Sequence, residues 1–450
     1  MKTFTIGGVH PKENKLSKGK KIVVAPIPEQ VVIPLSQHIG APAKPIVAVG
    51  DHVKVGTKIG ESGGFVSANI FSSVSGTVEK IDNVADLAGF KRQSIIIKTD
   101  ENDEWEESID KSEKIIANLD YSAEEIKAKI IEAGIVGMGG ATFPLGVKLS
   151  PPKDVVIDQL LINGVECEPY LTSDHALMLE KAEEICIGIE LLKKVLNVTI
   201  AQVGIEANKP DAIAHLTTIA SKYSGIRIVP LKVKYPQGSE KHLIQALTGR
   251  EVPSKQLPAS VGVVVCNIAT TFAVYEAVEK NKPLFERVVT VTGTALRNPS
   301  NLLVRLGTSF ESVLNFVGGI PGDTDKIISG GPMMGKAVQS VNIPVLKGSS
   351  GILCMTKAEA HRKQETNCIR CGRCVEGCPM GLEPYLLYAL SKKSMLVELN
   401  EHDVTDCFEC GSCSFSCPAH KPILDYIRMG KAKTIQMLKN EEAKKTTEKK

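Results

Sequence analysis

The chain has 450 residues, yet it lacks an uncharged apolar run long enough to cross a bilayer. The longest candidate, VGVVVCNIATTFAVY at 261–275, is short and carries Asn267, Thr270 and Thr271. Any membrane association is therefore expected to be peripheral. The first residues, MKTFTIGGVHPKENKLSKGKK, have no apolar signal core, so a reducing cytoplasm suits the cysteines better than a compartment where they would pair as disulfides. Charge is not in excess either. The formal net charge of +3 argues against nucleic-acid binding by bulk charge. What is present is a chain too long for one ordinary domain and, with 43% hydrophobic residues, able to bury several cores.

After an N-terminal extension at 1–27, residues 28–100 alternate apolar and polar positions between Gly and Asp turn signals, as short strands do. VGDHVKVGTKI and SSVSGTVEKI resemble the two halves of a biotinyl- or lipoyl-type hammerhead, a barrel-sandwich domain. Such domains present a modified lysine on a hairpin. The stretch 60–78 contains no lysine, so a structural or docking role is expected. ENDEWEESIDKSEK at 101–114 reads as an acidic linker. From 115 to 285 helical patterns alternate with β-branched runs. SAEEIKAKIIEAG starts with Ser122 as N-cap and Glu125 three residues on, and stops at Gly134. DVVIDQLLINGVE, NVTIAQVGI and SVGVVVCNI read as buried strands, giving an α/β domain. Residues 286–345 suggest a small α+β module of strand, helix and strand, and 346–430 place cysteines between helical stretches. The charged tail at 431–450 is expected to be disordered.

Eight of the twelve cysteines lie in two copies of one pattern, CIRCGRCVEGCP at 368–379 and CFECGSCSFSCP at 407–418. Two intervening residues let consecutive thiolates converge on one centre. Gly372 and Gly411 ease the turn, and Pro379 and Pro418 break the chain after the fourth cysteine. A pair of structural zinc sites is the alternative, but zinc usually joins two C-x2-C knuckles across a longer gap. The spacing is that of bacterial two-cluster ferredoxins, in which the fourth cysteine of each run ligates the other cluster. It predicts two [4Fe–4S] clusters, one held by Cys368, Cys371, Cys374 and Cys417, the other by Cys407, Cys410, Cys413 and Cys378. Ile369 and Phe408 are expected to shield them. Cys186, Cys266 and Cys354 read as buried thiols.

Clusters pass single electrons, so a donor is needed. GIVGMGGATFPLGVKL at 134–149 follows a helix rather than a strand and is not G-x-G-x-x-G, so a Rossmann reading fails on context. Gly134, Gly137, Gly139 and Gly140 can still let a backbone approach a phosphate or a flat ring, and Lys148 adds charge. Taken alone, the loop is equally compatible with a turn without ligand. Asn163, Glu166 and Glu168 follow an apolar strand, and Asn267, Thr270 and Thr271 follow another. Strand ends are where α/β sheets bind ligands. The three segments together point to a nucleotide or flavin site.

GMGGATFPLGVK, NGVECEP and CNIATTFA resemble the flavin-binding segments of the FMN- and NADH-binding subunit of respiratory complex I. The order of domains over residues 1–430 resembles the C subunits of Rnf electron-transport complexes. The resemblance implies a multidomain α/β-plus-β protein: hammerhead, α/β flavin domain, β-grasp module at 286–345 and helical two-cluster ferredoxin-like domain. It implies non-covalent FMN, two [4Fe–4S] clusters and NADH as substrate. Gly137, Gly139, Gly140 and Lys148 would hold the FMN. Asn163 and the candidate catalytic carboxylates Glu166 and Glu168 would line the flavin and nicotinamide space. Asn267, Thr270 and Thr271 would contact the flavin phosphate or ribityl chain, and Glu240, in QGSEKHLI, would lie near the nucleotide. Where complex I has an acidic residue this chain has Val165. The implied role is a peripheral subunit at the cytoplasmic face of the membrane, within an ion-pumping complex that exchanges electrons between NADH and ferredoxin. A soluble corrinoid reductase has a related flavin-plus-two-cluster layout but generally begins at the flavin domain. A non-enzymatic iron–sulfur scaffold with an empty glycine loop is the remaining alternative.

Overall fold

The structure is a computed structural model whose description covers residues 1–152 and 154–448, with side chains to 445; residues 449–450, part of the tail expected to be disordered, lie outside the described residues. Four parallel strands form one sheet, in the spatial order Ile226–Leu231, Ala201–Glu206, Gln159–Asn163, Val263–Asn267. Their near-continuous apolar runs reflect burial on both faces. Leu160, Ile162, Val264 and Cys266 pack with helices Ala123–Glu132, Ala182–Leu196 and Ile268–Glu279. Leu161, Val263 and Val265 pack on the opposite face with Leu243 and Leu247 of helix Glu240–Thr248. The next two strands add to one side of Gln159–Asn163 and the fourth adds to the other. The order of addition thus reverses between Gln159–Asn163 and Val263–Asn267, which opens a crevice at their carboxyl ends. Asn163 and Asn267 stand opposite each other there, in register.

The hammerhead is a pair of small antiparallel sheets. They enclose Val31, Ile33, Ile59, Ile70, Ile95 and Ile97, all fully buried. The stretch 101–114 is not the free linker expected. Trp105 pairs with Val55 as an isolated bridge, and Trp105 and Ile109 pack with Val55, Phe71 and Phe285. Its acids are also partnered: Arg305 reaches Asp103 and Lys280 reaches Asp110.

The module after residue 286 has the expected helix, Phe310–Phe316, but its strands belong to a six-stranded sheet that also draws in Ile22–Val24 and Gly351–Thr356. Strand Gly351–Thr356 runs between Glu286–Thr292 and Thr324–Ser329. Strand Ile22–Val24, from the N-terminal extension, pairs with Ser300–Arg305 at the edge. The C-terminal domain is built of helices Pro384–Lys393, Leu396–Glu401 and Ile423–Glu448, packed through Leu387, Leu399, Val404, Ile423 and Ile427. The tail expected to be disordered continues that last helix to Glu448, with Thr434 fully buried against the domain. Its lysines and glutamates are good helix formers once a packed turn precedes them. No described helix is long and apolar enough to cross a membrane.

Candidate functional site

The glycine loop sits over the crevice because three local features put it there. Helix Ala123–Glu132 is fixed by the Ser122–Glu125 capping box. Residues 137–143 then close on themselves, with Val136 paired to Pro144 and Gly137 N–H donating to the Phe143 carbonyl at 2.9 Å. Finally the Met138 N–H donates to Thr270 Oγ1 at 2.9 Å. Asn267 caps helix Ile268–Glu279, its Oδ1 accepting from Ala269 N at 2.9 Å and Thr270 N at 3.3 Å. Its Nδ2 donates to Asp174 Oδ2 at 2.6 Å. A Cβ on Gly139 would lie 2.7 Å from Asn267 Nδ2, whereas a Cβ on Gly140 would meet no atom within 4 Å. Gly140 is therefore the open face of the loop, and Gly139 is packed onto the cap. Lys148 Nζ donates to Glu240 Oε1 at 2.7 Å and to the Val265 carbonyl at 2.9 Å, so Glu240 does come to the same crevice. Asn163 Nδ2 donates to the Gly238 carbonyl at 2.7 Å.

Glu166, Glu168 and Thr271 each have partners within the protein. The Glu166 backbone is left-handed, with φ 46°, and its carboxylate accepts the Asp174 N–H at 2.8 Å. It supplies the cap for helix Ser173–Glu180 because the Thr172 hydroxyl is engaged by Ser17 and Asn301. The Glu168 carboxylate accepts the N–H groups of Met333 at 3.1 Å and Met334 at 2.8 Å, from a loop of the neighbouring module. Burial pushes it up to about 7, against those two hydrogen bonds. Thr271 is fully buried and donates to the Asn267 carbonyl within its own helix. All three hold the site's walls together.

Sequence reasoning missed Asp174, Arg287 and Lys347. Asp174 is pushed up to about 7 by burial and by the charge of Glu166, with the Asn267 amide opposing. Arg287 is lowered to about 10 by burial, Asp174 being its counter-charge. Lys347 Nζ donates to the carbonyls of Asn69 and Gly134, both at 2.7 Å, which ties the hammerhead to the base of the glycine loop. Burial lowers it to about 7. Only the acid in TSDH, at the start of a helix, left a trace in the sequence.

The cysteines divide into an inner and an outer group. Cys378 of the first run and Cys407, Cys410 and Cys413 of the second wall one pocket, together with Pro379, Phe408, Leu424 and Ile427. Burial pushes the Cys407 thiol up to about 11 and also raises Cys378, Cys410 and Cys413. Backbone N–H groups of Met380, Leu382 and Gly381 point at Cys378, which favours a thiolate there. Cys374 has Cys417 as its thiol neighbour. Cys368 and Cys371 are exposed. Among the described residues no three His, Cys, Asp or Glu side chains converge tightly enough to hold a single metal ion. Four thiols spread around one pocket fit a multi-atom cluster better than a lone zinc. Phe408 lines the inner pocket, and Ile369 is 69% exposed. The inner pocket is joined to the crevice domain. Tyr235 Oη donates to the Cys410 carbonyl at 2.8 Å, and Val9, Tyr235 and Cys410 pack with Cys167, Met333 and Phe408.

The same divisions emerge from comparison with known proteins. Residues 3–102 match the RnfC barrel sandwich hybrid domain, 130–276 the Nuo51 FMN-binding domain, 288–337 the SLBB domain and 367–421 the 4Fe-4S dicluster domain. FMN and two [4Fe–4S] clusters are thus the cofactors of these domains. Two structures of NAD+-reducing [NiFe]-hydrogenase, in the H2-reduced and air-oxidized states, share the fold at TM-scores of 0.50 and 0.51 with 18% and 17% identity. The likeness covers 69% and 70% of this chain and 63% and 66% of theirs. The C subunit of the Na+-translocating ferredoxin:NAD+ oxidoreductase complex of Acetobacterium woodii is 44% identical over 95% of this chain and 96% of its own. The C subunit of the proton-translocating ferredoxin:NAD+ oxidoreductase complex of Clostridium ljungdahlii is 49% identical over 99% of this chain and 96% of its own. With such identity along nearly its whole length, the chain belongs to the family of C subunits of ion-translocating ferredoxin:NAD+ oxidoreductase complexes, the Rnf family.

Proposed function

We propose that this protein carries electrons between NADH and the ferredoxin side of an ion-translocating complex, bound peripherally at the cytoplasmic face of the membrane through the other members of that complex. FMN held in the crevice would supply hydride exchange with NADH and single-electron exchange with the clusters held by the two cysteine runs. The chain's own residues supply position and charge. Gly140 leaves the loop open to a flat ring or phosphate. Lys148 and the N-terminus of helix Ile268–Glu279, held by Asn267, place positive potential at the crevice. Glu168 fixes the Met333–Met334 loop beside Tyr235 and the inner cysteines. Cys368, Cys371, Cys374 and Cys417 would hold one cluster, and Cys378, Cys407, Cys410 and Cys413 the other.

The observation that carries this reading is the contact of Tyr235 with Cys410, which joins the crevice domain to the inner four-thiol pocket without intervening solvent-exposed chain. A soluble corrinoid reductase would leave the hammerhead without a purpose, and an inert scaffold would not need the open face of Gly140. The test is anaerobic purification with flavin and iron quantified and NADH-dependent bleaching followed spectroscopically. One FMN and about eight irons per chain are expected, with bleaching on NADH addition. Iron without flavin would leave the scaffold reading. Co-sedimentation with membranes only when the other members of the complex are present would support the peripheral location.

A further inference from the structure

The two cysteine runs share a spacing and have opposite surroundings. Residues 361–374 carry Arg362, Lys363, Arg370 and Arg373 against Glu365 alone. The equivalent residues of the second run, 400–413, carry Glu401, Asp403, Asp406 and Glu409 and neither lysine nor arginine. Burial differs in the same way. Every residue from 361 to 373 is exposed, Cys368 and Cys371 included, while Cys410 and Cys413 are buried.

Three of the four cations of the first run are not consumed by the fold. Arg362 pairs with Asp425, and the loop's one acid, Glu365, is taken by Lys421 at 2.5 Å. Among the described residues Lys363, Arg370 and Arg373 have no ion-pair partner, and Glu376 is the nearest acid in sequence left unpaired. Apolar surface is exposed in the same loop and beside its last cysteine. Ile369 is 69% exposed between Cys368 and Arg370, and Tyr385, whose backbone N–H points at the Cys374 sulfur, is 46% exposed. An apolar centre within a charged rim is how protein interfaces are built. Unpaired rim charges act mainly by steering the partner and speeding its arrival.

We propose that the loop 361–373 is the docking surface for a redox protein whose own centre is ringed by carboxylates. The chain then exchanges electrons with its partner at the outer thiols, Cys368 and Cys371, and with its own crevice domain at the inner ones. The inference rests on the two-cluster reading above. An anionic bilayer would also attract these cations. The redox protein is favoured because the charges surround the two most exposed ligand thiols.

The test uses the full-length protein loaded with flavin and iron, verified by iron content and EPR, and a small acidic two-cluster ferredoxin as probe. Binding is followed anaerobically by surface plasmon resonance across a salt series. Wild-type binding is expected to weaken steeply with salt. The triple reversal Lys363→Glu, Arg370→Glu, Arg373→Glu is expected to weaken it by about ten-fold or more. The triple glutamine variant should fall between, and Lys80→Glu with Lys91→Glu, on the hammerhead, should bind like wild type. Equal binding by wild type and the reversal, or no binding by wild type, overturns the proposal. So does a reversal that abolishes binding to phosphatidylcholine–phosphatidylglycerol vesicles while leaving ferredoxin binding intact, because the loop would then be a membrane contact. A preparation without clusters would instead sink the reading on which the inference rests.

Discussion

Gly139 and Gly140 are adjacent, and the structure predicts that replacing them has different consequences. Neither lies in the left-handed region, so a side chain at either meets no backbone penalty. At Gly139 a Cβ would lie 2.7, 2.8 and 2.9 Å from Nδ2, Cγ and Cβ of Asn267. All three contacts fall on one side chain, down to its Cβ, so turning the amide cannot relieve them. Asn267 would have to shift, and with it the cap of helix Ile268–Glu279 and the bond to Asp174. A lost cap costs about 0.5–2 kcal/mol. Overpacking costs about 1–3 kcal/mol. Both arise from the same displacement, so they do not add in full. Gly139→Ala is expected to destabilise the flavin-free protein by about 1–3 kcal/mol, read as a lower thermal midpoint. At Gly140 there is nothing to displace. Gly140→Val should leave the midpoint unchanged and weaken FMN binding by about ten-fold or more, equivalent to about 1.4 kcal/mol. The assay is quenching of FMN fluorescence on titration with flavin-free protein. Full FMN affinity in a folded Gly140→Val protein would remove the open face of the loop from the flavin site. An unchanged midpoint for Gly139→Ala would mean that Asn267 is not held as described.

Cys378→Ser should perturb the same EPR signal as Cys407→Ser after reduction; a spectrum matching Cys368→Ser would mean that each run closes its own cluster. Glu168 binds its proton more tightly folded than unfolded, so the stability it contributes is present below its ordinary value near 4.5 and is lost as pH rises through about 7. The loss is of order 3 kcal/mol, and Glu168→Gln should flatten that part of the dependence of thermal midpoint on pH between 5 and 8. Glu166→Gln removes the charge that helps to raise Asp174, so the Asp174 carboxyl should titrate lower by carbon-detected NMR, and an unmoved resonance would deny the coupling. Gly7 has φ +63°, and a Cβ there would lie 2.3 Å from the Cys378 carbonyl oxygen. Gly7→Ala should therefore alter the inner cluster's EPR signal while FMN binding persists.

The doubled cysteine run was legible because its geometry is written in contiguous residues. Its inner and outer halves were not legible, since the burial of Cys410 depends on Tyr235 and Met333, far away in the chain. The strand-end asparagines were found from their position after apolar runs. The crevice they flank is the reversal point of an open parallel sheet, although the glycine signature for such a crevice is absent. The reason is that the glycine loop arrives from residues before the first strand instead of from the first strand–helix turn. Glu166 and Glu168 stand out in the sequence as polar groups after an apolar strand, and their candidate catalytic role comes from the family resemblance. Their partners within the protein, the N–H groups of Asp174, Met333 and Met334, become visible only when the chain is folded. The stretch 101–114 read as a linker by its acids, which outnumber but do not outweigh Trp105 and Ile109.

The N-terminal extension shows why domain boundaries drawn along the chain miss how this protein is held together. Lys15 is a half-buried lysine whose three donors all find acceptors: the carbonyls of Glu166 and Glu168 at 2.9 Å and of Leu171 at 2.7 Å. That full set of bonds satisfies the ammonium, while burial still lowers its affinity for a proton. It also fixes the left-handed turn at Glu166, where the strand leaves the sheet. Upstream, Gly8 N–H donates to the Gly377 carbonyl and Val9 pairs with Tyr235. Downstream, Ile22–Val24 joins the sheet of the module that supplies Met333. One strap thus touches the crevice, the inner cysteines and the loop between them. Electron transfer falls steeply with distance, so a protein whose centres lie in different modules must hold them at fixed spacing. Interfaces between domains are ordinarily small and mobile. Here the backbone of the first residues supplies bonds that cross all three, and the spacing becomes a property of the fold and no longer of the linkers.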